Sequence, residues 1–333
     1  MDSLPMAPGT DERVRFLVKE TEDPLAQDAP NVVANLTKYP KKISSVYVYD
    51  KAGTEFFERQ CETPEYYLRR VEAELLRVHA GEIIELSGFP PLVELGAGTA
   101  EKTRILLAEY ERRRLCCDYF PIDVDTETLV EAARALVGSF PRLLVHCLCA
   151  TYQRSLGVLP PSARARLFLF LGSSLGNMGL QEIDELLSQL SCCSSQGDHL
   201  LLGVDLDKDP AIINRAYNDS AGWGARSTLN MLLHLNRRYH GNFVTRQFAY
   251  RSQYNARSRR NEVGIESLVD QEVTLGDLSF SVSFGESELI EAEVMYKFDP
   301  GDLETLLARM NFSMVRRWID PNYHYGLFLL RHN

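Results

Sequence analysis

From residue 91 to residue 207, short apolar runs alternate with stretches of helical period. "PLVELGAG" is a brief apolar run closed by glycine, and "EKTRILLAEYERRR" repeats its apolar positions every three to four residues. "CCDYFPIDVD" reads as a strand ending in acids, "TETLVEAARALVGSF" as a helix and "RLLVHCLCAT" as another strand. "RLFLFLGSSLG" is the most apolar strand, "LQEIDELLSQLS" is helical, and "HLLLGVDLD" is again a strand ending in acids. Upstream, "EYYLRRVEAELLRVHAGEIIEL" carries helical spacing. Apolar strands interleaved with amphipathic helices predict an α/β fold whose parallel sheet is covered on both faces.

The texture changes after "DKDPAIINRAYN". A helical stretch, "STLNMLLHLNRRY", leads into period-two runs: "FVTRQFAYRSQY", "EVGIESLVDQEVTL", "LSFSVSFG" and "ELIEAEVMYKF". These predict antiparallel strands with one face on a core. "DPGDLETLLARMNF" is a helix with an Asp start signal, and "SMVRRWIDPNYHYGLFLLRHN" is two strands around an Asp-Pro-Asn turn. The closing helix and hairpin complete the parallel sheet with a reversed last strand, which makes the antiparallel block an insertion. Residues 70–207 and 298–333 are therefore expected to form a Rossmann-like domain. Residues 31–69 and 208–297 form a smaller α+β domain, and the Pro- and Asp-rich residues 1–30 are expected to be loose.

Composition narrows the function. The 333 residues are 45% hydrophobic and 25% charged with a net charge of −10, which suits a globular protein and not a phosphate-backbone binder. No apolar run approaches the ~20 residues of a membrane span, and no basic-then-apolar leader is seen. The seven cysteines are odd in number and lack CxxC spacing, and the seven histidines are scattered. A cytosolic, monomeric protein that binds no metal, membrane or nucleic acid is expected.

The glycine loop carries the chemistry. A dinucleotide fingerprint needs a third small residue, yet Glu101 stands there after Gly96 and Gly98, an anion where a pyrophosphate would sit. No Gly-Lys-Ser/Thr follows to make a phosphate loop, because Glu101 and not a glycine precedes Lys102-Thr103. A short E-x-G-x-G loop suits S-adenosylmethionine, with Asp123 or Asp125 of "PIDVD" placed to accept from ribose hydroxyls. A tight turn would also account for Gly96, and a helix cap for Asp123.

From about Tyr39 onward, the motifs "VYDKAGTEFFERQCETPEYYLRRVEAELL", "ELGAGTAEKTRILL", "PIDVD", "FLGSSLGNM", "LLGVDLDKDPAIINRAYND" and "EAEVMYKF" resemble one family. It is the S-adenosylmethionine-dependent amino-acid Nα-methyltransferases of ergothioneine biosynthesis, with fungal relatives acting on a prenylated tryptophan. The resemblance implies Gly96 and Lys102 at the cofactor's amino-acid end and Asp123 on its ribose. Thr151 and Tyr152 fall at its adenine, Thr151 replacing an acid. It implies Asn177 on the substrate's backbone and Tyr217 on its carboxylate, with Tyr49 and Asn177 as the catalytic pair. Tyr49, Phe57 and Tyr66 would form an aromatic wall, though core packing would equally explain Phe57. Glu293 would receive an imidazole, the alternative being that Glu291 and Glu293 share a strand face as surface charges.

Five positions depart from the histidine pattern. Met295 stands where a Ser is usual, Ser267 where Met is frequent, and Trp223-Gly224 and Ser227 replace a Val-Thr pair and a Phe. These changes make that end of the pocket more apolar. The expected reaction is methylation of the α-amine of L-histidine to its trimethyl betaine, hercynine. Another aromatic amino acid, tryptophan- or tyrosine-like, is the alternative substrate, and a non-catalytic partner subunit the alternative role.

Overall fold

The computed structural model describes residues 11–19 and 25–333. They fall into two compact units: one holds Arg70–Leu206 and Phe298–Asn333 with residues 11–19, the other Asp207–Lys297 with residues 25–69.

The chain starts in the first unit with β1 (Val14–Lys19) and passes into the second with α1 (Ala29–Thr37) and α2 (Lys51–Cys61). It returns along α3 (Leu68–Ser87) and alternates through β2 (Leu92–Leu95), α4 (Glu101–Arg112), β3 (Cys117–Asp123), α5 (Thr126–Ser139) and β4 (Leu143–Cys149). The run continues with α6 (Tyr152–Leu156), β5 (Leu167–Phe170), α7 (Leu180–Cys193) and β6 (His199–Asp205). The second unit then takes α8 (Pro210–Tyr217), α9 (Trp223–Tyr239), β7 (Phe248–Asn255), β8 (Arg260–Ser267), β9 (Gln271–Leu275), β10 (Phe280–Phe284) and β11 (Leu289–Tyr296). The chain closes in the first unit with α10 (Pro300–Arg309), β12 (Phe312–Ile319) and β13 (Tyr325–His332).

The first unit's sheet has the order β1-β4-β3-β2-β5-β6-β13-β12, parallel up to β6. Strand β13 runs antiparallel to β6, with Leu327 opposite Gly203 and Leu329 opposite Leu201, and β12 folds back on it. Strands β2 and β5 are buried at every position, as a strand covered on both faces must be. Helices start where side chains can satisfy their free N–H groups. Asp125 accepts from Thr128 N–H at 3.1 Å, and Asp299 accepts from Gly301 and Asp302 N–H at 2.8 and 3.1 Å.

Residues 14–19, expected to be loose, are instead an edge strand paired in parallel with β4, Val14 opposite Val145. Val14 and Phe16 are buried and Arg15 between them is exposed, the period of a half-covered strand. A strand of six residues set among Pro, Asp and Glu is too short to shift the local composition.

In the second unit, the sheet β11-β8-β7 and the hairpin β9-β10 pack with α1, α2, α8 and α9. Val32, Leu36 and Tyr47, from before residue 69, share one core with Leu232, Leu235, Val263 and Ile290. All seven cysteines are free thiols.

Candidate active site

In the first unit the singled-out residues follow the carboxyl ends of neighbouring parallel strands, where open α/β sheets bind ligands. Gly96 and Gly98 leave β2 with φ of +72° and +48°, and Ala100 at the start of α4 is also left-handed at +55°. Gly96 and Ala97 N–H both donate to the Ile122 carbonyl, at 2.9 and 3.1 Å. A Cβ on Gly96 would lie 2.9 Å from the Tyr152 hydroxyl, so the turn and its neighbour together demand glycine. The ring of Tyr152 meets Phe170 edge-on at 5.8 Å.

Asp123 and Asp125 separate in role. Asp123 ends β3, and its carboxylate accepts from Gly98 N–H at 2.8 Å and from Asp125 N–H at 3.0 Å, while burial pushes its pKa up. Asp125 is the α5 cap. Thr151 caps α6, accepting from Arg154 N–H at 3.4 Å, and is exposed. Asn177 ends a 3-10 turn after β5 and is also exposed. Lys102 pairs with Glu72 of α3 at 2.7 Å, and Glu72 is fully buried. Glu94 of β2 is buried as well; it accepts from Thr103 and from the Tyr119 hydroxyl, and burial pushes it up to about 7.

The second unit brings the distant Tyr217 onto a row of aromatics from one N-terminal segment. Tyr49 meets Phe57 at 6.3 Å, Phe57 meets Tyr66 at 6.1 Å, and Tyr66 meets Tyr217 at 6.0 Å, each pair edge-to-face. Tyr49 is 54% exposed, which leaves one end of this row open. The next residue, Asp50, fixes the segment. It caps α2 through Gly53 N–H at 2.8 Å, accepts from Asn230 of α9 at 2.7 Å, and pairs with Arg237. Tyr217 accepts from the buried Lys297 at 2.9 Å, and its carbonyl accepts from the Tyr250 hydroxyl at 2.6 Å. Asp50 and Lys297 lie inside the quoted motifs and Tyr250 in a period-two run, but only the tertiary contacts single them out.

Strand β11 settles the orientation of its acids. A bulge between Glu291 and Glu293 places Glu291 opposite Gly264 and Glu293 opposite Val263, adjacent residues of β8 whose side chains take opposite faces. Glu291 therefore leaves on the outer face, where it pairs with Lys42 at 2.6 Å. Glu293 turns to the face of Val263 and Ile265, which corrects the expectation that the two acids point the same way. It is half-buried, makes no hydrogen bond or ion pair among the described residues, and is pushed up to about 7 by burial.

Met295 shares this face two residues on, opposite Asn261, whose buried amide is held to Ser252 Oγ at 3.0 Å. Ser267 lies four residues from Val263, about 13 Å along the strand. Its hydroxyl donates to the Val269 carbonyl at 2.8 Å and accepts from Gln271 at 2.7 Å. The structure therefore does not bring Ser267 to the Glu293 row; Val263 holds the facing position. Trp223 stacks on Phe56 at 6.1 Å with Arg226 4.4 Å from its ring centre. Gly224 and Ser227 face α2: a Cβ on Gly224 would meet Gln60 at 2.7 Å, and Ser227 donates to the Gly53 carbonyl at 3.4 Å.

Among the described residues no cluster of His, Cys, Asp or Glu could hold a metal ion, and no helix is long and apolar enough to cross a membrane. The parallel sheet closed by a reversed strand, with a glycine turn after β2 and an acid ending β3, defines a class I S-adenosylmethionine-dependent methyltransferase. A family profile described as "Histidine-specific methyltransferase, SAM-dependent" matches residues 27–332, and the chain belongs to that family. It is 36% identical to a histidine N-alpha-methyltransferase of Mycolicibacterium smegmatis, over 90% of this chain and 93% of that one. An ergothioneine biosynthesis protein of Neurospora crassa is 28% identical over 87% of this chain and 33% of its own length. A 4-dimethylallyltryptophan N-methyltransferase of Claviceps purpurea is 23% identical over 90% of this chain and 93% of its own.

Proposed function

We propose that this enzyme transfers three methyl groups in succession to the α-amine of L-histidine, forming hercynine. The observation that carries the histidine assignment is Glu293: a half-buried carboxyl without a partner among the described residues, turned by the β11 bulge onto the face of Val263 and Met295. Such a group is unfavourable unless a donor reaches it, and an imidazole N–H is a fitting donor. The identity to the mycobacterial-type relative supports the same reading.

S-adenosylmethionine supplies, when bound, a methyl group on a cationic sulfonium. The first unit fits it: the positive-φ turn at Gly96 leaves no room for a side chain, Lys102 offers an ammonium, and Asp123 offers acceptor capacity at the end of β3. Thr151 and Tyr152 are assigned the adenine. Asn177 is assigned the amino acid's backbone and Tyr217 its carboxylate. The amine must arrive unprotonated with its lone pair aligned on the methyl carbon, and holding it so lowers the barrier. The row Tyr49, Phe57 and Tyr66 keeps water from the nitrogen and offers π faces to the cation that forms.

Met295 favours a second substrate, because a thioether beside Glu293 suits an apolar aromatic ring better than a second polar contact. Mass spectrometry of the purified enzyme with S-adenosylmethionine and each of the twenty amino acids separates the two. A gain of three methyls on histidine alone is expected. Turnover of tryptophan or tyrosine in its place would overturn the assignment.

A further inference from the structure

Glu72 is a fully buried carboxylate that joins α3, the start of α4, the turn after β5 and the reversed strand. Its Oε2 accepts from Lys102 Nζ at 2.7 Å. Its Oε1 accepts from the Tyr325 hydroxyl at 2.8 Å and from Gly172 N–H at 2.7 Å, and that N–H also lies 3.0 Å from Oε2. Gly203 of β6 makes room for it, since a Cβ there would sit 2.0 Å from Oε1. A Cβ on Gly172 would lie 3.0 Å from Lys102 Nζ, so the ammonium is confined from the other side as well. Of the pair, only Lys102 reaches solvent: its side chain is 26% exposed and that of Glu72 is 0% exposed. A carboxylate held by three donors has a fixed position, and a lysine tied to it loses the freedom of its four-carbon stem.

We propose that Glu72 is a positioning residue for the methyl donor. It aims the Lys102 ammonium at the carboxylate of S-adenosylmethionine, and through Tyr325 the reversed strand takes part in holding the cofactor. The inference rests on the assignment of Lys102 to the cofactor's amino-acid end.

The test is the dissociation constant of S-adenosylmethionine by calorimetry, with KM for both substrates, on Glu72→Gln, Lys102→Met and the double variant. Glutamine keeps the shape and loses the charge. Glu72→Gln is expected to weaken S-adenosylmethionine binding about tenfold while KM for the amino acid changes less than about twofold. If Glu72 acts through Lys102, the double variant binds no more weakly than Lys102→Met alone. Additive losses, or equal rises in both KM values, would show a structural role and overturn the proposal. Unchanged affinity in Lys102→Met would instead remove the assignment of the lysine on which the inference rests. Should Glu72→Gln fail to fold, Tyr325→Phe removes one of the three donors from the carboxylate. It is expected to weaken S-adenosylmethionine binding about threefold at an unaltered amino-acid KM, and unaltered affinity would overturn the proposal.

Discussion

Gly96 combines a left-handed backbone with a neighbouring hydroxyl that closes the space a side chain would take. Gly96→Ala should cost about 1–2 kcal/mol for the backbone conformation alone. It should also weaken S-adenosylmethionine binding about tenfold by calorimetry. Tyr152→Phe in that background removes the crowding oxygen and should recover part of the loss; no recovery would mean that the backbone angle alone governs. Glu293 makes a different prediction. With its pKa raised to about 7, the free enzyme carries the carboxylate only above that pH, so kcat/KM for histidine should fall as pH drops through 7. Glu293→Gln should flatten that limb beyond what titration of free histidine explains. Glu94 tests linkage in the fold itself. Its folded pKa of about 7 lies above the unfolded value near 4.5, so its contribution favours folding below pH 4.5 and is lost as pH rises through 7. Glu94→Gln should therefore unfold at higher temperature than the parent at pH 8, and the difference should vanish near pH 4.5.

Element by element, the largest departure from the sequence reading is β1. Phe16→Ala should lower stability by about 3 kcal/mol if the strand is paired and buried as described, whereas a loose segment would tolerate it in a denaturant titration. The period-two pattern of Val14, Arg15 and Phe16 was legible, but six residues cannot outweigh a Pro- and Asp-rich setting. The bulge in β11 was not legible at all. "EAEVMYKF" reads as plain alternation, and the extra residue shows only once the register against β8 is known. Small residues on α9 follow the same rule. Gly224 and Ser227 look like pocket substitutions in a sequence comparison, yet their contacts are with α2 residues Gln60 and Gly53, where helix packing limits side-chain volume. By contrast, the alternating strands and helices of residues 91–207 and the closing hairpin announce themselves, because strands buried on both faces are continuously apolar.

Across the whole molecule, the sheet depends on its last strand. β13 lies between β6 and β12 and is buried along nearly its whole length, so ending the chain at residue 311 would expose the edge of β6. Such a truncation should give aggregated protein that binds no S-adenosylmethionine, checked by size-exclusion chromatography and calorimetry. Sequence alone determined the alternating architecture, the reversed strand and the choice of S-adenosylmethionine over a dinucleotide. Each rests on local period, glycine placement or one anionic side chain, all of which are properties of neighbouring residues. Only the tertiary structure decided that Tyr217 joins the row of Tyr49, Phe57 and Tyr66 and that Glu293 and Glu291 face opposite ways. It likewise decided that Ser267 spends its hydroxyl on a turn and that Glu72 ties Lys102 to Tyr325. Those facts depend on strand register and on packing between segments as much as 253 residues apart, which no local pattern encodes.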